Sequence, residues 1–292
     1  MLRLPQIARW KFAFILMTIG FVTVNLPTAS AENPPPRQVQ SLKTPNGVAY
    51  GIWGEKPKAP VPTLIILAGT IEGTLGEDYY RRAGNILSEQ GFLCVSIDLP
   101  CHGVEHRPNE PAQLSGWRYR AEHGEDFVAE FCKRLSGVLD ELIAQGYSDP
   151  ERIAICGTSR GGYLSLQFAA HEPRIRCVAA YAPVTDLAAL REFQGAEANE
   201  MVQSLDVRKQ ADKLAGRPVW IIIGDQDERV STDSAIDLAR RITRASLARK
   251  LTSQVDLHVL AEPRGHTTPN GAVEGSAAWL LTHCPVKDTP KQ

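Results

Sequence analysis

A serine hydroxyl becomes a working nucleophile only when a base takes its proton and an acid holds that base in the right tautomer. Ser159 is placed for such a role, because Gly157-Thr158-Ser159-Arg160-Gly161 interrupts an otherwise regular stretch of chain. Ahead of it, Ile153 and Ile155 belong to an apolar segment that reads as a buried parallel strand; beyond it, Tyr163 to Ala170 reads as a helix. Ser159 therefore stands at a strand-to-helix turn tight enough to strain its backbone, with Gly157 and Gly161 letting neighbouring backbone pass. Its hydroxyl projects over the sheet, and the first free N–H groups of the helix face the place where an oxyanion would develop.

The partners of such a serine must come from elsewhere in the chain, and a parallel α/β sheet gathers them at the carboxyl ends of its strands. Gly224-Asp225-Gln226-Asp227 follows the strand Val219 to Ile223 and offers two acids, while Asp186 follows the preceding strand. His266 lies in the loop after the strand Val255 to Leu260. Other histidines have plainer readings: His258 lies within a strand, His171 and His283 end helices where a cation suits the dipole, and His106 and His123 are expected at the surface.

Positioning these groups falls to alternating strands and helices. Val39 to Leu42 and Val48 to Trp53 read as strands around Pro45-Asn46-Gly47, followed by strands over Thr63 to Leu67 and Phe92 to Ile97. Ala68 to Gly73 reads as a glycine-containing loop, and helices are predicted over Asp78 to Gln90, Phe127 to Ile143, Ser231 to Leu251 and Gly271 to His283. Ile175 to Tyr181 is a sixth strand, and Pro183 to Asp206 a short helical insertion after it. Val104 to Trp117 has no sustained period and reads as a long surface loop. The alternation predicts an α/β fold with a mostly parallel sheet flanked by helices. A length of 292 residues with 43% hydrophobic content suits one sizeable core, so residues 39–285 are expected to form a single domain followed by a tail, 286–292. A formal net charge of −1 gives no electrostatic reason to expect nucleic acid as a partner.

The start of the chain differs in kind. Arg3, Arg9 and Lys11 precede the apolar run Phe12 to Val24 and the small residues Ala29-Ser30-Ala31, the pattern of a secretory signal peptide over residues 1–31. Cleavage is expected after Ala31, giving a secreted or periplasmic protein with a flexible tail over 32–38 and no stable membrane anchor. Of the six cysteines, Cys94, Cys156 and Cys177 fall in apolar strands, whereas Cys101, Cys132 and Cys284 lie outside them and are the better candidates for disulfides.

Four segments together carry a resemblance over nearly the whole mature chain: Asp98-x-x-x-x-Gly103, Gly157-Thr158-Ser159-Arg160-Gly161-Gly162, Pro183-Val184-Thr185-Asp186-Leu187 and Gly224-Asp225-Gln226-Asp227. They resemble the α/β-hydrolase fold family, most of all its dienelactone hydrolase and prolyl oligopeptidase-like branch. The resemblance implies a single α/β-hydrolase domain and a triad of Ser159, Asp227 and His266, with Asp225 supporting the loop and His102 structural. It implies an oxyanion hole built from the Arg160 amide and one amide of Gly69-Thr70-Ile71, Thr70 the first choice and Ile71 the second. The chain departs from the family at Ala68, where many members have histidine, and at Cys101, where they have glycine. The Arg160 side chain is expected in an ion pair beside the turn.

Members of that branch include esterases and peptidases, and its peptidases typically add a large N-terminal propeller. Here only a short tail and two strands precede Thr63, so the expectation is an open pocket, bordered by the insertion and the Val104 to Trp117 loop, that takes a small-molecule carboxylic ester. The ester would be cleaved through an acyl-enzyme, without cofactor or metal. A prolyl oligopeptidase-like serine peptidase and a non-catalytic secreted binding protein on the same fold are the alternatives.

Overall fold

The computed structural model describes residues 37–286; the predicted signal peptide with its cleavage site, and most of both predicted tails, lie outside them. Among the described residues, eight strands form one sheet: β1 (Val39–Lys43), β2 (Ala49–Trp53), β3 (Val61–Leu67), β4 (Leu93–Ser96), β5 (Ser148–Thr158), β6 (Ile175–Tyr181), β7 (Val219–Gly224) and β8 (Val255–Leu260). Their spatial order is β1-β2-β4-β3-β5-β6-β7-β8. The first two pairings, β1 with β2 and β2 with β4, are antiparallel, and the rest are parallel.

Parallel central strands carry helices on both faces, which is why they read as continuous apolar runs. Ile65 and Leu67 of β3, Ile153 and Ile155 of β5, and Ile221 and Ile223 of β7 pack on one face with α5 (Phe127–Ala144), α6 (Arg160–His171) and α9 (Thr232–Ala248). Alternate residues, among them Leu64, Ile66, Cys156 and Trp220, pack on the other with α1 (Ile71–Gly76), α3 (Ala83–Glu89) and α10 (Ala272–His283). α5 illustrates the cause: Asp126 caps it by accepting from the Ala129 amide, and Phe131, Leu135, Val138 and Leu142 form one fully buried stripe. Truncating Leu135 to alanine would cost about 2–5 kcal/mol, the lost transfer energy plus the cavity left behind.

Several expectations are corrected. The helix predicted over Asp78 to Gln90 is two pieces, α2 (Asp78–Arg81) and α3, because Arg82 between them holds φ at +49°. Ala68 to Gly73 is not all loop: Thr70 caps α1, its Oγ1 accepting from the Gly73 amide at 3.0 Å. Val104 to Trp117 contains the start of α4 (Gln113–Glu122), which buries Leu114, Trp117 and Ala121 together with a charged residue, Arg120. Arg120 meets both oxygens of Glu110 at 2.9 and 2.7 Å, and the pair is almost fully enclosed. Arg37, assigned to the flexible tail, is held by Ser88 and Glu89.

The disulfide expectation is corrected as well, since all six cysteines are free and buried. Cys101 and Cys132 pack into the core on one face of the sheet, and Cys284 into the core on the other. Burial pushes the thiols of Cys101 and Cys132 up to about 12 and that of Cys284 to about 11, so they act as small hydrophobes. Cys101, where the family resemblance leads to glycine, holds φ at +61°, a conformation in which an L side chain is strained.

The insertion after β6 consists of two 3₁₀ turns, Leu187–Ala189 and Arg191–Phe193, and α7 (Glu200–Ser204). A further short helix, α8 (Ala211–Leu214), precedes β7.

Candidate active site

Ser159 links β5 to α6 with φ +55° and ψ −116°, outside the regions that L residues ordinarily occupy. Two backbone bonds hold it there: its amide donates to Tyr181 at 2.8 Å, and its carbonyl accepts from Val184 at 3.1 Å. The flanking glycines are needed for space. A Cβ on Gly161 would lie 1.9 Å from the Leu67 carbonyl oxygen, and one on Gly157 would lie 2.3 Å from that of Gly161.

The three residues expected to form the triad converge. The Ser159 hydroxyl lies 3.0 Å from His266 Nε2, and His266 Nδ1 lies 2.8 Å from Asp227 Oδ2. Asp227 is 2% exposed, while His266 and Ser159 reach solvent, so the line runs from a shielded carboxylate to an open hydroxyl. Asp227 Oδ1 accepts from the Val230 amide at 3.3 Å, which aims the other oxygen at the imidazole. Asp225 ties two loops together by accepting from the Glu262 amide at 2.9 Å. Asp186 caps the first 3₁₀ turn of the insertion and pairs with Arg208 at 2.7 Å.

Around the oxyanion position the two choices separate. The Ile71 amide donates to Asp98 Oδ1 at 2.7 Å, so the second-choice donor is already spent. The Gly69 amide faces the Thr74 hydroxyl at 3.3 Å. The Thr70 amide has no acceptor among the described residues, and neither does that of Arg160 at the first position of α6. His102 is buried below this loop, with Nδ1 2.8 Å from the Pro100 carbonyl, and burial pushes its pKa down to about 4.

The expected ion pair of Arg160 is not formed. Its Nε donates to the Ala68 carbonyl at 3.1 Å and its Nη1 to Gln113 Oε1 at 2.9 Å, which ties the turn to both neighbouring loops. Burial pushes its pKa down from the ordinary guanidinium value.

Ser159 and His266 open onto a cleft of about 290 Å³ whose walls include Tyr79, Tyr80, Leu114, Thr268 and Arg229. Arg229 was not anticipated, although its place two residues past Asp227 signals it. Its Nη2 holds both oxygens of Glu192 at 2.8 and 2.7 Å, so the insertion reaches the cleft through this pair. Burial opposes ionisation of Glu192, but its hydrogen bonds, including those from Arg229, bring its pKa below the usual carboxylate value. Arg229 Nη1 is buried without an acceptor among the described residues. Tyr79 and Tyr80 were hidden within a segment read simply as helix.

A model of the prolyl oligopeptidase family matches residues 130–275, half of the chain, a span containing Ser159, Asp227 and His266. The 20-hydroxy-prefusarin hydrolase of Gibberella moniliformis is 32% identical over 122 residues, covering 41% of this chain and 26% of that protein. The chain spans about a quarter of the length of the first curated relatives it matches. A cold-adapted esterase from an Arctic intertidal metagenomic library shares the fold with a TM-score of 0.61 at 19% identity, over 87% of this chain and 97% of that one. Dipeptidyl peptidase 4 of Porphyromonas gingivalis does so with a TM-score of 0.60 at 17% identity, over 85% of this chain and 35% of that one. With a family model over half its length and the sheet and turn that the α/β-hydrolase fold requires, the chain belongs to the prolyl oligopeptidase family.

Proposed function

We propose that this protein is a serine hydrolase that cleaves small carboxylic esters, with Ser159 as nucleophile, His266 as base and Asp227 as the acid that orients it. The observation that carries the reading is the unbroken line Ser159 Oγ–His266 Nε2–His266 Nδ1–Asp227 Oδ2, at 3.0 and 2.8 Å, at the mouth of an open cleft. His266 Nε2 takes the Ser159 proton as Oγ bonds to the ester carbonyl carbon, and Asp227 accepts from Nδ1 and stabilises the imidazolium. The carbonyl oxygen becomes an oxyanion between the amides of Arg160 and Thr70. Collapse breaks the bond to the alcohol, which leaves with the Nε2 proton. Water then gives a proton to Nε2 as its oxygen bonds to the acyl carbon, and collapse breaks the bond to Ser159 Oγ, which takes that proton from Nε2 as the acid leaves. Arg229, in the wall of the cleft and paired with Glu192, borders the part of the substrate beyond the reacting bond. We also propose export, on the basic and apolar pattern of residues 1–31.

The test compares kcat/KM for p-nitrophenyl esters of increasing acyl length with that for aminoacyl and dipeptidyl p-nitroanilides, with Ser159→Ala as blank. Ester preference and Ser159-dependent fluorophosphonate labelling are expected. Preference for anilides would favour the peptidase, and failure to label would favour a binding protein. Sequencing the amino terminus of exported protein tests cleavage, with Glu32 as the expected first residue.

A further inference from the structure

At the far end of the sheet from Ser159, where β6 and β7 begin, lies a second cleft of about 630 Å³. Arg176, Lys213, Arg217 and His283 line it, and none of its lining residues is acidic. Among the described residues, Arg176, Lys213 and Arg217 enter no ion pair. Two nearby acids are committed elsewhere: Glu172 holds Arg174 through both oxygens, and Asp149 pairs with Arg152. Three positive charges thus gather with no ion-paired acid among the described residues, on a chain whose formal net charge is −1.

Such a cluster costs free energy, and arginine cannot escape it by losing its proton. Arg217 Nε is buried and has no acceptor among the described residues. Burial also pushes the Arg217 pKa down from its ordinary value. Cations on a concave, low-dielectric wall focus a positive potential into it, and planar guanidinium forks beside an ammonium group suit the spread charge of a phosphate-type oxyanion.

We infer that this cleft is a binding site for a polyvalent oxyanion of the phosphate type, held by Arg217, Arg176 and Lys213 and separate from the ester-cleaving site. A free phosphate compound and a lipid headgroup share this chemistry. The experiment is isothermal titration of the full chain with inorganic pyrophosphate at low ionic strength, beside co-sedimentation with phosphatidylglycerol vesicles. Arg217→Gln is expected to weaken pyrophosphate binding at least about tenfold. Lys213→Gln, at an exposed position that folding tolerates, is expected to weaken it by about threefold. Arg240→Gln, at an exposed and unpaired arginine on α9, should leave it unchanged, and p-nitrophenyl ester turnover should be the same in all three. Vesicle binding lost in Arg217→Gln would identify a headgroup as the source, and pyrophosphate binding alone a free phosphate compound. No binding by the wild-type chain at millimolar pyrophosphate, or equal losses in Arg217→Gln and Arg240→Gln, would overturn the inference.

Discussion

Asp98 is the place to test how the oxyanion loop is held. Its carboxylate is 4% exposed and accepts from the Ile71 amide at 2.7 Å and the Val104 amide at 2.8 Å, clamping the start of α1 to the loop after β4. Asp98→Ala removes two charge-assisted hydrogen bonds worth roughly 1.5–3 kcal/mol each. Val104 is 73% exposed, so its amide can turn to water, but Ile71 is 3% exposed and its amide is left bare. The net cost is then about 2–4 kcal/mol, a fall in melting temperature of roughly 4–16 °C for a domain of this size. Thr70 directly precedes Ile71, so loosening this helix start also moves the proposed second oxyanion donor, and losing one such donor costs about 10²–10³ in kcat. Asp98→Asn keeps one acceptor and should show a smaller fraction of both effects. Melting by fluorimetry gives the first quantity. Steady-state hydrolysis of p-nitrophenyl acetate, well below the lowered melting point, gives the second, with kcat falling and KM little changed. A folded, less stable Asp98→Ala with unchanged kcat would refute the link between this clamp and the oxyanion donor.

Ser159→Ala and His266→Ala should each cost on the order of 10⁶ in kcat, and the double mutant little more, because the two act as one unit; Asp227→Asn should cost roughly 10⁴. Additive losses would show that they work separately. Gly161→Ala is expected to cost more than about 5 kcal/mol and yield little soluble protein, since the new Cβ meets backbone rather than a movable side chain; normal expression and melting would contradict the close approach. Arg120→Leu should cost about 3–5 kcal/mol by leaving Glu110 buried and unpaired, and adding Glu110→Leu should restore part of that, read by chemical denaturation. Burial holds His102 at about 4 in the folded chain, against 6.5 for a free imidazole. The unfolded chain therefore binds the proton first, and stability, complete above pH about 6.5, is lost as pH falls toward about 4, by roughly 3 kcal/mol in all. His102→Leu should flatten this acid-side slope, with the Pro100 carbonyl still held by Trp117; an unchanged slope would show that His102 is not its source.

Legibility followed the range of the forces involved. β6 and β8 appear in the structure with the boundaries read from the sequence, since the largely apolar run of β6 and the alternation Val255-Asp256-Leu257-His258-Val259 of β8 are both local signals. Ser159, Asp227 and His266 were recognisable because each occupies a loop directly after a strand whose end is itself legible. α4 was not, because its buried face includes Arg120, whose burial depends on Glu110 ten residues earlier. The break at Arg82 escaped for a related reason: nothing in Tyr79-Tyr80-Arg81-Arg82 disfavours a helix, and the positive φ is imposed by packing. The loss of Ile71 as a donor depended on Asp98 reaching across from the loop after β4, and Arg229 acquired its partner from an insertion more than thirty residues away.

The two ends of the proposed proton path are anchored very differently. β5, which carries Ser159, is a central strand buried on both faces, whereas β8, which leads to His266, pairs only with β7 and leaves most of its side chains in water. Amide exchange should accordingly be slow along β5 and fast along β8, since edge strands open without unfolding the core. Gentle warming should then lower ester turnover reversibly, by letting His266, the proposed base, swing away while Ser159 stays in its turn.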